Sequence, residues 1–261
     1  MPVDLLDQIR GNILERVAFY LYKNGGDYLD SIINKMSGLK DGEEYLERNV
    51  IGILKAADFI SDDGKILLKD MRILNRCLEI ENFGLYFRIE LLSKINVSKE
   101  PNIGYFSDFL RNLLDNSFID NTKIEEFLRE SRRSRGIPIS AGEELGGKTE
   151  YCIAFLKYFE LIQPIGKDYK IYIPVKLLNT IIAIALDDIK KTSIKLYSEL
   201  FEHIDKNYIP ILDRKQNRLL QTVYNTMNKE DFITSFKFAH VPDGGREISL
   251  GNKKFNAILT R

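Results

Sequence analysis

Residues 142–149, Gly-Glu-Glu-Leu-Gly-Gly-Lys-Thr, fit the GxxxxGK[ST] spacing with which a glycine-rich loop wraps phosphates, and Asp187-Asp188 after the apolar run 181–186 could supply the acid for a magnesium ion. That chemistry needs a buried strand feeding the loop. Here the loop follows Ile137-Pro138-Ile139-Ser140, which is short, broken by proline and led in by arginines, while Glu143 and Glu144 would crowd a triphosphate. A P-loop NTPase is therefore the weakest reading carried forward.

Other catalytic constellations are sparse. His203 and His240 are the only histidines, so a multi-histidine metal centre is excluded, and Ser-His or Cys-His catalysis would have to recruit one of them. Cys77 and Cys152 are far apart and form no CxxC, which argues against a disulfide framework or zinc ribbon and fits a reducing compartment. A metal-dependent nuclease would need an acid-x-Lys after Pro242-Asp243, where Glu247-Ile248-Ser249 lacks the lysine; Asp188-Ile189-Lys190 has the triplet without a hairpin before it. No catalytic residue, metal or cofactor is expected.

The residues that could do recognition chemistry are cationic. Arg129, Arg132, Arg133 and Arg135 gather before a segment opening Gly147-Lys148-Thr149-Glu150-Tyr151. Arginine offers a planar fork to phosphate or guanine edges, and Thr149 and Tyr151 could donate to phosphate oxygens at a helix N-terminus already rich in free N–H groups. The competing reading has Glu125, Glu126 and Glu130 neutralise the arginines across helical turns. A second group, Arg214, Lys215, Gln216, Asn217, Arg218 and Gln221, follows Asp213, a suitable N-cap, with no acid until Glu230. Cations in a first helical turn oppose the helix dipole, so their concentration there calls for a reason beyond helix stability. Arg246, Lys253 and Lys254 add a basic hairpin.

The elements that must position these side chains follow from periodicity and from a faint repeat. Residues 53–60 with Gly64-Lys65 align without gaps on residues 155–162 with Gly166-Lys167, at an offset of about 102. Each copy predicts a helix giving way at an acid, Asp58 or Glu160, to a hairpin around glycine. Two further amphipathic segments precede each copy, at 13–23 and 28–36 and at 106–114 and 124–132. Segments 71–80, 86–95 and 175–186 also read as helices, and 98–102 as a linker. The last third repeats the scheme loosely: a helix at 194–204, one opening at Asp213, strands near 233–241 and 246–250 forming a long hairpin, and a final strand near 255–259.

At 261 residues the chain predicts more than one core, and 44% hydrophobic with 29% charged residues excludes wholesale disorder. Thirty-eight basic residues balance 38 acidic ones, so any basic face is local. Residues 1–100 hold 14 basic and 17 acidic side chains and residues 176–261 hold 14 and 10, a drift of positive charge toward the C-terminus. The start lacks the pattern of a signal peptide and no apolar run is long enough to span a bilayer, so a cytoplasmic or nucleoid-associated protein without a membrane partner is expected.

Three helices followed by a hairpin, with the third helix feeding the first strand, resembles the winged-helix branch of the helix-turn-helix superfamily. The resemblance is architectural, covers residues 10–70 and 104–174 and, more loosely, 192–261, and rests on no signature motif. It implies a mainly α protein with small β-hairpins (α+β), with tandem winged-helix-like units joined by helices: 1–100 with trailing helices, 101–190, and a divergent 191–261. It further implies a third helix laid in the DNA major groove and a wing on the backbone, or, in other members, protein contact alone. The first unit's third helix is ringed by Asp41, Glu43, Glu44 and Glu47, which suits a protein partner or self-association. The expectation is a non-enzymatic binder of double-stranded DNA through the later units. Arg132, Arg133, Lys148 and Lys253 would take phosphates, with Arg135, Thr149, Tyr151, Lys215, Arg246 and Lys254 around them, and Arg214, Asn217 and Arg218 would read base edges. The alternative is a protein–protein adaptor in a nucleic-acid-processing complex.

Overall fold

The structure, a computed structural model, describes residues 11–24, 50–77, 80–138, 145–189, 194–210, 236–245, 247–250 and 252–260. The protein is mainly helical with small antiparallel sheets. It divides into two compact units, Met1–Tyr172 and Ile173–Arg261. The three-part division expected at residues 100 and 190 does not coincide with this one. The helix expected at 28–36 and the helix opening at Asp213 lie outside the described residues.

In the first unit, α1 (Gly11–Asn24) buries Leu14, Val17, Ala18 and Leu21, an i, i+3, i+4, i+7 stripe. Next come α2 (Ile51–Ala56), two short 3-10 turns within 68–76, a third at Ile80–Asn82, and α3 (Phe83–Val97). The single helix expected over 71–80 is absent from its described part. The backbone there is instead pinned by the Ile73 N–H, which donates to buried Glu90 Oε2 at 2.8 Å. Nor is 98–102 a linker between domains. Pro101 opens α4 (Pro101–Leu114), because proline's missing N–H costs nothing in a first helical turn, and α4 packs on α3.

After α4 come β1 (Phe118–Ile119), α5 (Asn121–Ser134), α6 (Gly146–Tyr158), β2 (Ile162–Ile165) and β3 (Asp168–Ile171). Asp120 caps α5 by accepting the Lys123 N–H at 2.8 Å, a contact worth about 1 kcal/mol. Helix α5 turns Ile124, Phe127 and Leu128 into the core beside α4, each burial worth about 1.5–3 kcal/mol. The sheet order is β1-β3-β2, all antiparallel: Phe118 faces Lys170, which faces Gln163, and Ile119 faces Tyr169, which faces Pro164. The Tyr172 N–H donates to Leu161 O at 3.1 Å, so in this register the backbone groups of Ile162 and Pro164 point away from β3, and Pro164 has no N–H to offer.

The two helix-to-hairpin junctions are alike down to single backbone bonds. Asp58 donates to Lys55 O and Phe59 to Leu54 O; 102 residues later Glu160 donates to Lys157 O and Leu161 to Leu156 O. Asp58 (φ 55°) and Glu160 (φ 59°) both take the left-handed conformation that closes a helix, and Gly64 (φ 84°) and Gly166 (φ 64°) both turn the hairpins. The first hairpin is a single bridge, Ile60 to Ile66, whereas the second is a four-pair ladder.

The second unit contains α7 (Val175–Asp188), β4 (Ile194–Leu196), α8 (Tyr197–Asn207), β5 (Phe236–Ala239), β6 (Ile248–Leu250), β7 (Lys253–Phe255) and β8 (Ala257–Thr260). The helix expected from 194 begins only at Tyr197, because residues 194–196 pair with β8. Among the described residues the long hairpin expected between 233–241 and 246–250 does not form: β5 pairs with β8, and β6 pairs with β7. Buried Asn256 explains the partnering. Its side chain accepts the Val241 N–H and donates to Val241 O, both at 2.7 Å, binding the end of β5 to the start of β8 as a strand partner would. Gly244 permits this approach, since a Cβ there would lie 2.8 Å from Asn256 Nδ2.

Candidate nucleic-acid interface

Arg132 lies on the buried stripe of α5, one turn after Leu128, and its guanidinium stands 5.4 Å from the Tyr105 ring. At 5% exposure it is part of the core and does not face a phosphate. Arg135, just past the end of α5, holds Asp108 in a two-pronged ion pair, Nε to Oδ2 at 2.5 Å and Nη2 to Oδ1 at 3.0 Å, which pushes the guanidinium pKa further up. Arg133 is exposed. The helical pairing weighed against the cluster is present on its N-terminal side, where Arg129 meets Glu125 at 2.9 Å and Lys123 meets Glu126 at 2.6 Å.

Thr149 is buried, and its hydroxyl donates to Leu145 O at 2.9 Å, so it closes the first turn of α6 on itself. Lys148 and Tyr151 are half-buried. The exposed side of α6 runs through Gly147, Glu150 and Lys157, while Tyr158 at its end packs against α1 and α3. The Tyr158 hydroxyl donates to Glu15 Oε2 at 2.8 Å, and burial raises its pKa well above the ordinary tyrosine value. Arg88 closes the same corner by donating to Glu160 Oε1 at 2.5 Å and to Tyr158 O at 3.3 Å. The end of α6 is thus bolted to the rest of its own unit.

The hairpin is more open. Lys157 at its base, Lys167 in its turn and Lys170 on β3 are exposed; Lys157 stands 6.0 Å from the Tyr169 ring. The sequence does not single out these three because they are spread over a helix end, a turn and a strand, whereas the arginines fall within seven positions. The signal available was alternation: Lys170 falls on the same face as Gln163 and Phe118.

In the second unit Lys253 is exposed, and Lys254 meets Glu247 at 3.2 Å, a carboxylate that also faces His240 at 3.3 Å. Arg214, Lys215, Asn217, Arg218 and Arg246 lie outside the described residues. His203 faces Asp188 Oδ2 at 3.3 Å and Asn207 Nδ2 at 3.2 Å, and the Tyr208 hydroxyl donates to the same Asp188 oxygen. Of the phosphate-loop pattern, 145–149 are described: Leu145 caps α6 and no strand precedes it at 137–138. Among the described residues no group of three or more His, Cys, Asp and Glu is placed to hold a metal ion, and no helix is long and apolar enough to cross a membrane.

No protein-family model, curated protein or solved structure matches this chain.

Proposed function

We propose that this chain is a non-enzymatic, nucleic-acid-binding protein of winged-helix type that meets a DNA duplex through the β2–β3 hairpin and not through α6. Support comes from the order of elements in residues 101–172: helix, strand, helix, helix, hairpin, with the first strand paired to the last. The junction at residues 54–67 repeats the closing part of that order.

The observation that carries the reading is the exposure of Lys167 and Lys170 on one hairpin, where Asp168 is the only acid between residues 161 and 172. Cations of this kind neutralise phosphates, which positions a protein on nucleic acid without reading its sequence. Residues 101–172 hold ten basic and eleven acidic side chains, so the contact is local and not the product of a broad field. Base reading falls to Arg214, Asn217 and Arg218, with Lys253 as a further phosphate contact.

The test is a fluorescence titration of the full chain against mixed-sequence duplex at several salt concentrations. Replacing Lys167 and Lys170 together by alanine should flatten the slope of log affinity against log salt by about 2, at about 0.9 per phosphate. An unchanged slope refutes the hairpin assignment. The adaptor reading is favoured by one observation, the docking of α6 on α1 and α3, which leaves that helix poorly placed to enter a groove. Its signature is an intact chain that shows no salt-sensitive retention of duplex.

A further inference from the structure

We infer that the outer face of the β1-β3-β2 sheet is a stacking platform for unpaired nucleotides, with Phe118 and Tyr172 taking bases and Lys170 the phosphate between them. This deepens the reading of the hairpin as a nucleic-acid contact and rests on it.

The pleat divides the sheet into two faces. Ile119, Ile162 and Ile171 turn inward and are buried. Phe118, Gln163, Ile165, Asp168, Lys170 and Tyr172 turn outward, because each strand alternates and the paired residues share a face. Phe118 is 59% exposed, Ile165 48% and Tyr172 36%. Among the described residues four large apolar side chains are exposed, the fourth being Val97, so three of the four fall on this one small surface. Phe118 lies directly across from Lys170, and Tyr172, just past the end of β3 where the ladder continues through its N–H bond to Leu161 O, lies on the diagonal, about 7–8 Å away at Cα.

The chemistry between the rings selects the occupant. A protein-docking patch is depleted of lysine at its centre, since a buried ammonium there must be paired. This surface has Lys170 at its centre, flanked by Gln163 and Phe118. Platforms for single strands combine exposed aromatic rings, on which any base can stack, with cations that follow the backbone, and an amide adds hydrogen bonds to base edges. Asp168, beside Ile165 near the turn, repels phosphate there and directs the strand toward the β1 side.

The experiment is fluorescence anisotropy of the full chain with a labelled oligothymidylate and, separately, with a hairpin duplex. The wild-type chain should bind the oligothymidylate in a salt-sensitive way. Phe118→Ala and Tyr172→Ala should each weaken that binding about tenfold and their combination about a hundredfold, while duplex binding keeps its salt slope. Both side chains are exposed, so neither change removes a core contact, and Phe118→Tyr and Tyr172→Phe should bind like the wild type. The inference is overturned if the double alanine variant binds oligothymidylate unchanged, or if the wild type binds duplex but not oligothymidylate; the latter leaves the hairpin reading standing. Failure on both nucleic acids overturns both.

Discussion

The left-handed residue that ends α2 should be improved by glycine, whereas its counterpart after α6 should not. Asp58 is held at φ 55° and its side chain is 80% exposed, with Lys94 at a distant 3.9 Å. The left-handed conformation costs a residue with a Cβ about 1–2 kcal/mol. Glycine's extra freedom in the unfolded chain takes back about 0.4–1 kcal/mol. Removing a carboxylate from a helix C-terminus adds about 0.3 kcal/mol or more. With the strain at the low end of that range, because Asp tolerates the left-handed region better than most residues, Asp58→Gly should stabilise the junction by about 0.6 kcal/mol. At Glu160 the same relief is offset by loss of the 2.5 Å pair with Arg88, a partly exposed contact worth up to about 1 kcal/mol, so Glu160→Gly should be neutral or slightly destabilising. Because the chain has two compact units, a global melting curve mixes them; hydrogen exchange followed by mass spectrometry on peptides covering 50–68 and 155–172 isolates each junction. Opening of 50–68 should slow about threefold in Asp58→Gly. Equal effects at the two sites, or faster exchange in Asp58→Gly, would refute the assignment of strain to the left-handed residue.

Two further outcomes follow from buried groups. Burial raises the pKa of Glu90 above the ordinary 4.5, against the Ile73 N–H and the charges of Lys94 and Arg72, so the folded state holds that proton more tightly than the unfolded one. Its contribution is therefore complete below the ordinary carboxyl pKa and is lost as pH rises through the raised value. Glu90→Gln, whose amide oxygen can still accept from Ile73, should match the wild type in acid and exceed it in urea midpoint near neutrality, and parallel midpoints across pH would contradict this. Burial also pushes the Cys152 thiol well up, while Cys77 is half-buried, so a thiol reagent should label the folded chain faster at Cys77 and reach Cys152 only in denaturant.

The junctions were legible in the sequence because their chemistry is local. A Leu-Lys pair, an acid and a glycine turn recur at one offset, and the backbone bonds recur with them. The arginine cluster was misleading because its fate depends on distant partners. Asp108, which holds Arg135, lies 27 residues upstream on another helix, and Tyr105, which covers Arg132, comes from the same helix as Asp108. A local signal for Arg132 did exist: it is eight residues after Ile124 and four after Leu128, in step with the buried stripe. The sequence predicts helix at 194–196 because three residues leading into an amphipathic run have no period of their own, and the partner that makes them a strand is some 60 residues away.

Pro164 has a consequence for how this module behaves in a crowd. An incoming chain trying to lengthen the sheet past β2 would bring a carbonyl to a position where no hydrogen is offered, and would forfeit one rung of the ladder at the start of growth. That margin is capped against fibre-like propagation, so copies crowded together at high concentration can be neighbours on that side without fusing.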